Sequence, residues 1–204
     1  MPDRQMGKNN LIHIHKKNNK DHKMHTKTHN RKYRLVYNES IFDIIKNRVS
    51  AESNGATVFV PHVCNNIDLF DAGFAAQIAA KYPEVKANYH MLGKSFLRNN
   101  LGHAQIIKAY EQPKYKHGLY FVNMISQNGI KSFNNPRPLN YAALTRSMIQ
   151  LSQHIHAQTG FLKNTENIEI HAPKFGSGLA GGNWNFISDL VEDIWGKYNV
   201  FIYG

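Results

Sequence analysis

One cysteine, Cys64, stands among 204 residues, so no intrachain disulfide can form and a reducing compartment is the natural setting. No apolar run approaches the roughly 20 residues that a membrane helix needs. The opening Met-Pro-Asp-Arg carries no apolar stretch of the kind a secretory signal requires. These absences lead us to expect a cytoplasmic protein (host cytoplasm if viral) with no membrane partner. Acidic residues are scarce, 14 against 25 Lys and Arg, for a net charge of +11. The imbalance is local. Residues 1–34 hold ten of the basic and two of the acidic groups, leaving fifteen and twelve for the rest. The pI near 9.7 therefore describes a tail and not a basic binding face.

Residues 1–30 are Lys-, Asn- and His-rich, with Leu11, Ile12, Ile14 and three Met as their apolar content. Such a segment cannot bury enough apolar area to offset its ordering entropy, and a disordered arm is expected. Weak, non-specific nucleic-acid contact is the partner it suggests. Met24 offers a second start that would remove most of the arm. Five histidines (His13, His15, His22, His25, His29) lie there without cysteine or regular ligand spacing, so we expect no metal. Nothing demands another cofactor.

From Arg31 to Gly204 the hydrophobic fraction supports one domain. Strands are expected at 33–37, 57–64, 104–109, 119–125, 168–172 and 200–203 from their β-branched and apolar content. Pro61 inside the second implies a bulge or a strand near its end. Helices are expected at 75–82, stopped by Pro83, at 84–98, and at 141–157 behind an Asn140 cap. Tyr141, Leu144, Met148, Leu151 and Ile155 make one buried stripe there. A last helix, 184–197, turns Ile187, Leu190, Val191, Ile194 and Trp195 inward. Strands separated by helices imply an α/β protein with helices on both faces of a mixed sheet.

Two loops carry the chemistry. The first follows the strand ending at Cys64, runs Asn65-Asn66-Ile67-Asp68-Leu69-Phe70-Asp71-Ala72-Gly73-Phe74-Ala75, and enters a helix. A helix N-terminus behind a glycine turn offers unpaired N–H groups to an anion, and an ordinary turn has the same letters. The second runs Pro173-Lys174-Phe175-Gly176-Ser177-Gly178-Leu179-Ala180-Gly181-Gly182-Asn183-Trp184. Four glycines and a serine in seven residues are costly unless the backbone takes unusual angles or approaches a ligand. Such a loop can form a nest around a diphosphate. It lacks the Gly-Lys-Ser/Thr of a Walker A loop, and it follows a late strand, unlike the dinucleotide fingerprint.

The pair resembles the macro domain family. Strand-His62-x-Cys64-Asn65 followed by Ala72-Gly73-Phe74-Ala75 is similar to that family's first ligand loop. Pro173-Lys174-Phe175-Gly176-Ser177-Gly178-Leu179 through Trp184 is similar to its second. Ile125-Ser126-Gln127, Arg137-Pro138-Leu139-Asn140-Tyr141 and the terminal Val200-Phe201-Ile202-Tyr203 also fit, over about 170 residues. The His-x-Cys-Asn segment, Ala79-Ala80-Lys81-Tyr82-Pro83 and Leu101-Gly102 most resemble the ADP-ribose-1″-phosphate phosphatase branch with its bacterial and phage members.

The resemblance implies a three-layer α/β/α fold around a mixed, mostly parallel sheet of about six strands. It implies ADP-ribose or ADP-ribose-1″-phosphate as ligand, and a monomer is expected. Adenine would lie by Glu39, Ser40 and Ile41, where the family's Gly-Asp motif is imperfectly matched. The diphosphate would sit between Gly73, Phe74, Ala75 and Ser177, Gly178, Leu179, Ala180. Asn65 would bond the distal ribose, Cys64 and Ala72 would line the loop, and Gly176 would belong to the second cradle. Phe175 and Tyr203 would supply walls. His62 is the acid/base or nucleophile candidate, alternatively a hydrogen-bonded core histidine. Asp71 is a second acid/base group or a helix cap, and Asn183 orients water or ribose or starts the last helix. A lysine and an aspartate used by some family hydrolases are replaced by Gln127 and Ala180. Phosphatase, ADP-ribosyl hydrolase on protein or nucleic acid, and non-catalytic reader all remain open.

Overall fold

The apolar runs around Val58 and Phe121 become neighbouring central strands, and the rest of the sheet is built outward from them. The computed structural model describes residues 32–51, 55–112, 114, 117–159 and 167–204. The expected arm, 1–30, lies outside the described residues. In chain order the elements are β1 (Arg34–Val36), α1 (Ile41–Ser50), β2 (Thr57–Asn65), α2 (Gly73–Lys81), α3 (Pro83–Met91) and α4 (Gly93–Asn99). Then follow β3 (Ala104–Glu111), β4 (Gly118–Gln127), α5 (Tyr141–Thr159), β5 (Ile168–Pro173), α6 (Trp184–Trp195) and β6 (Asn199–Tyr203). The six strands form one sheet ordered β1-β6-β5-β2-β4-β3. Only β3 runs antiparallel to its neighbour.

Alternation along the strands feeds two cores. Phe59, Val122, Met124 and Ile170 meet Leu144, Met148, Leu151 and Ile155 of α5 and Ile187, Val191 and Trp195 of α6. On the other face Val58, Val60, Phe121 and Ile125 meet Ile45, Val49, Ile78, Val85, Tyr89 and Leu97 from α1 to α4. Leu190 and Ile194 pack at the margin of the first core. Each fully buried aliphatic or aromatic side chain contributes about 1.5–3 kcal/mol, enough to fix the strand register by one face or the other. Trp195 also donates its Nε1–H to the Met148 carbonyl at 3.1 Å, tying α6 to α5.

Three expectations are corrected in detail. Pro61 lies in an interior strand, paired with Val122 of β4. The ladder from β2 to β5 covers only Thr57 to Phe59, so past that point a missing N–H on the β5 side forfeits no bond. The register shift falls later, between Cys64 and Asn65. The single helix expected at 84–98 is two. α3 closes at Leu92, and Gly93, at φ +74°, starts α4 in a new direction so that Tyr89 and Leu97 both reach the core. The last helix stops at Trp195, earlier than Lys197.

This topology opens a crevice. β2 leads into α2 on one face, whereas β5 leads into α6 on the other. The connections of these neighbours therefore part company at their C-terminal ends, the place where open α/β sheets receive ligands.

Candidate functional site

The first wall of the crevice is organised by Asn65. Its Oδ1 accepts from the Ile67 and Leu69 N–H groups at 3.0 and 3.2 Å, and its Nδ2 donates to the Leu69 carbonyl at 2.6 Å. The Tyr89 hydroxyl donates to the Asn65 carbonyl at 2.8 Å and lies 3.1 Å from its Oδ1. Burial pushes the Tyr89 hydroxyl upward in pKa, so it stays a donor. Two more α3 side chains hold the loop: His90 pairs with Asp68 at 2.6 Å and Lys86 with Asp71 at 2.5 Å. Asn65, expected on the distal ribose, thus has most of its amide engaged by its own loop.

The loop ends at α2, whose cap residue Ala72 supplies no side-chain hydrogen bond. The N–H groups of Gly73, Phe74 and Ala75 are then the free donors of a first helical turn, where the helix dipole favours an anion.

The second wall is pinned from behind. The Ser177 hydroxyl donates to the Lys174 carbonyl at 3.0 Å, Gly182 N–H to the Gly176 carbonyl at 2.8 Å, and Leu139 N–H to the Ala180 carbonyl at 3.1 Å. Phe175 is buried edge-on to Trp184 and tilted against Trp195, so it roots the loop in the core more than it offers a free face. Gly176 has φ +75°, and a Cβ there would meet Ile187 at 3.1 Å and Leu139 at 3.2 Å. Among the described residues, the backbone N–H groups of residues 176–180 are not taken up by the fold's own backbone hydrogen bonds. The two walls approach where a Cβ on Gly73 would lie 3.4 Å from the Leu179 side chain.

Between the walls is a cleft of about 590 Å³, within the range of small-molecule sites. Residues 69–75 and Asn65 line it from one side, and 173–176 with 178–180 from the other. His62, Val63, Cys64 and Gln127 form its strand-borne floor, with Ile130 and Lys131 at one margin. The two loops singled out in the sequence therefore do face one another.

His62 is buried, with Nε2 2.7 Å from Asn123 Oδ1 and Phe70 and Phe74 edge-on to its ring. Burial pushes its pKa down to about 4, only partly countered by the Asn123 hydrogen bond, so the ring is neutral at pH 7. The Cys64 Sγ lies 3.7 Å from Nδ1. Burial raises the thiol well above its ordinary value, which leaves it protonated and unreactive. Asp71 is exposed at the rim and held below the ordinary carboxylate range by the hydrogen bond from Lys86. It does not cap α2.

Other expected site residues fall elsewhere. Glu39, Ser40 and Ile41 sit at the start of α1, outside the lining of the cleft, where the Ser40 hydroxyl accepts from Asp43 N–H at 3.4 Å. Asn183 caps α6, accepting from Asn185 N–H at 2.9 Å, and is also outside the lining. Ser177 serves the loop from behind. Tyr203 lies next to the site, in register with Pro173, with its hydroxyl 2.7 Å from His171 Nδ1. That histidine continues to Glu169, which accepts two bonds from the Arg48 Nε and Nη2. Burial alone would raise the Glu169 pKa, but hydrogen bonds from His171 and Arg48 outweigh it and bring the carboxyl down to about 2.

Sequence reasoning missed Lys131, Lys174, Phe70 and Ile130 on the cleft, and the α3 trio Lys86, Tyr89 and His90 behind it. The signal available for Phe70 was an aromatic residue inside a polar loop; for α3 there was none before the loop's partner helix was known. No three His, Cys, Asp or Glu side chains cluster as metal ligands among the described residues. No described helix is long and apolar enough to cross a membrane.

No family model matches the chain. Among curated proteins it is 24% identical over 146 residues to an uncharacterized 17.5 kDa protein from the tk-vs intergenic region of Enterobacteria phage T4, covering 70% of this chain and 83% of that one. A protein of unknown function from Bacteroides thetaiotaomicron superposes with a TM-score of 0.62 at 24% identity, over 84% of this chain and 98% of that one. A macrodomain protein from Streptomyces coelicolor gives 0.54 at 22%, over 83% and 98%. Thermosipho africanus DarTG in complex with ADP-ribose gives 0.56 at 14%, over 83% of this chain and 41% of that one. The fold is that of the macrodomain proteins.

Proposed function

We propose that the cleft binds ADP-ribose or a close derivative, with the diphosphate between the N-terminus of α2 and the loop at 176–180. The observation that carries this is the pairing of two sets of uncommitted backbone N–H groups across one cleft. Each such hydrogen bond to a charged oxygen contributes about 1.5–3 kcal/mol. Support comes also from the fold shared with a protein whose structure holds ADP-ribose. Calorimetric titration with ADP-ribose tests it, with AMP and ribose 5-phosphate as controls that lack the bridged diphosphate. Saturable binding of ADP-ribose, at least tenfold tighter than the controls, is expected. No binding at millimolar ADP-ribose would overturn the reading.

A second reading is removal of the terminal phosphate from ADP-ribose-1″-phosphate, favoured by His62 in the cleft floor and the ionised Asp71 on the adjoining loop. In it water adds to phosphorus, the bond from phosphorus to the anomeric oxygen breaks, and the proton taken from water returns to that oxygen. A neutral His62 fits the proton-accepting half of this exchange. Phosphate release from ADP-ribose-1″-phosphate, abolished in His62→Ala while ADP-ribose still binds, is the expected result. Binding without phosphate release would leave a reader. Assays on ADP-ribosylated protein and nucleic acid, run alongside, address the hydrolase alternative.

A further inference from the structure

A chain of three hydrogen bonds fixes where the proton on His62 sits. The backbone carbonyl of Asn88 can only accept, and Gln105 Nε2 donates to it at 2.8 Å. Gln105 must then turn its Oε1 the other way, toward Asn123, whose Nδ2 donates to it at 2.9 Å. That leaves Asn123 Oδ1, an acceptor, 2.7 Å from His62 Nε2. Nε2 therefore carries the hydrogen. A neutral imidazole has one ring hydrogen, so Nδ1 is a bare lone pair. Asn123 is fully buried on the same sheet face as His62 and outside the cleft lining, so water does not compete for the bonds of the relay, whereas His62 itself borders the cleft beside Phe70 and Phe74.

We propose that Asn123 and Gln105 are positioning residues that lock His62 as the Nε2–H tautomer, so that the cleft floor offers a hydrogen-bond acceptor to a sugar hydroxyl of the ligand. A lone pair attracts a hydroxyl and repels a phosphate oxygen. The bound nucleotide is thereby oriented, with a ribose hydroxyl on His62 and its phosphates on the loop N–H groups. The Cys64 Sγ lies 3.7 Å from Nδ1 and 3.9 Å from Nε2, nearly equidistant from the two nitrogens, so the thiol is not in line with the Nδ1 lone pair and leaves it unclaimed. The tautomer stands independently of the function proposed above; the hydroxyl contact rests on it.

Nitrogen NMR of the ring nitrogens in uniformly labelled full chain at neutral pH reads the tautomer directly. A protonated Nε2 with an unprotonated Nδ1 is expected for His62 in wild type, and a protonated Nδ1 would overturn the proposal. Gln105→Leu removes the anchor, and the ratio of the two tautomers should fall at least tenfold; an unchanged ratio in a folded variant refutes the relay. Should that variant not fold, Asn123→Asp serves. Its carboxylate keeps Nε2–H but should raise the His62 titration midpoint by at least one pH unit, and an unmoved midpoint counts against the contact. Adding ADP-ribose should shift the Nδ1 resonance, whereas pyrophosphate should not. An equal shift with pyrophosphate, or saturation by ADP-ribose with Nδ1 unmoved, removes the hydroxyl contact. Failure of ADP-ribose to bind, with the Nε2–H form intact, defeats the functional reading alone.

Discussion

Replacing His62 by glutamine takes a titrating ring out of the core while keeping a side-chain N–H that can reach Asn123. The magnitude follows from linkage. The ring titrates near 6.5 when unfolded and at about 4 in the native chain. Between those values the unfolded state binds a proton that the folded state refuses. The stability held by the neutral ring is thus complete above pH 6.5 and is lost as pH falls toward 4. Worked through, wild type forfeits about 2 kcal/mol on going from pH 7.5 to pH 5, and about 3 kcal/mol once both states are below pH 4. The chain has 12 histidines, so the pH slope of wild type alone is uninformative. The difference between wild type and His62→Gln isolates the one ring. Urea unfolding at both pH values should show wild type losing about 2 kcal/mol more than the variant. The ring's neighbours Asn123, Phe70 and Phe74 do not titrate, and the Cys64 thiol remains protonated throughout. Parallel pH dependence in the two proteins would mean that the native ring is solvated, and the buried tautomer argument would fall with it.

Further perturbations separate fold from site. Gly176→Ala places a Cβ at φ +75° against Ile187 and Leu139, and should cost about 2 kcal/mol in urea unfolding. Gly178→Ala meets nothing within 4 Å, so stability should stay within about 0.5 kcal/mol, and any drop in ADP-ribose affinity then reports the cleft itself. Tyr89→Phe removes the hydroxyl that holds Asn65 and should destabilise by about 1–2 kcal/mol while weakening ADP-ribose binding several-fold, measured by unfolding and calorimetry. Glu169→Gln leaves Arg48 and His171 without their carboxylate and should cost about 3 kcal/mol at pH 7. Because the carboxyl pKa is depressed from 4.5 to about 2, that gap should be full above pH 4.5 and shrink as pH falls toward 2.

Much of the architecture is legible because the strands are apolar on both faces and the helices between them are punctuated. Pro83 separates α2 from α3, Asn140 caps α5 by accepting from Ala143 N–H at 2.9 Å, and the stripe from Leu144 to Ile155 is buried as its spacing requires. The break at Gly93 was not legible, since a lone glycine is tolerated inside many helices and only the need to bury both Tyr89 and Leu97 decides the matter. Pro61 misleads for a related reason. Proline forbids a ladder bond, but whether a neighbour asks for one depends on where β5 diverges, which is set by residues a hundred positions away.

The cleft divides along the same line. Its donors are backbone N–H groups, and glycine-rich spacing after a strand announces those locally, so both loops could be found from sequence. Its side-chain chemistry is long-range. Asp71 could be read as a cap until α3 brought Lys86 to it, and of the two readings of Asn183 the structure supplies the capping contact at the start of α6. The behaviour of His62 depends on Asn123 and Gln105, which lie 61 and 43 positions further along the chain. A polar residue within the apolar run of β4 hints that something must satisfy it. Which partner does so, and hence which ring nitrogen keeps the proton, depends on β2, β4 and β3 pairing in one register, because a slip of one residue between β2 and β4 would turn Asn123 away from His62, and one between β3 and β4 would turn Gln105 away from Asn123.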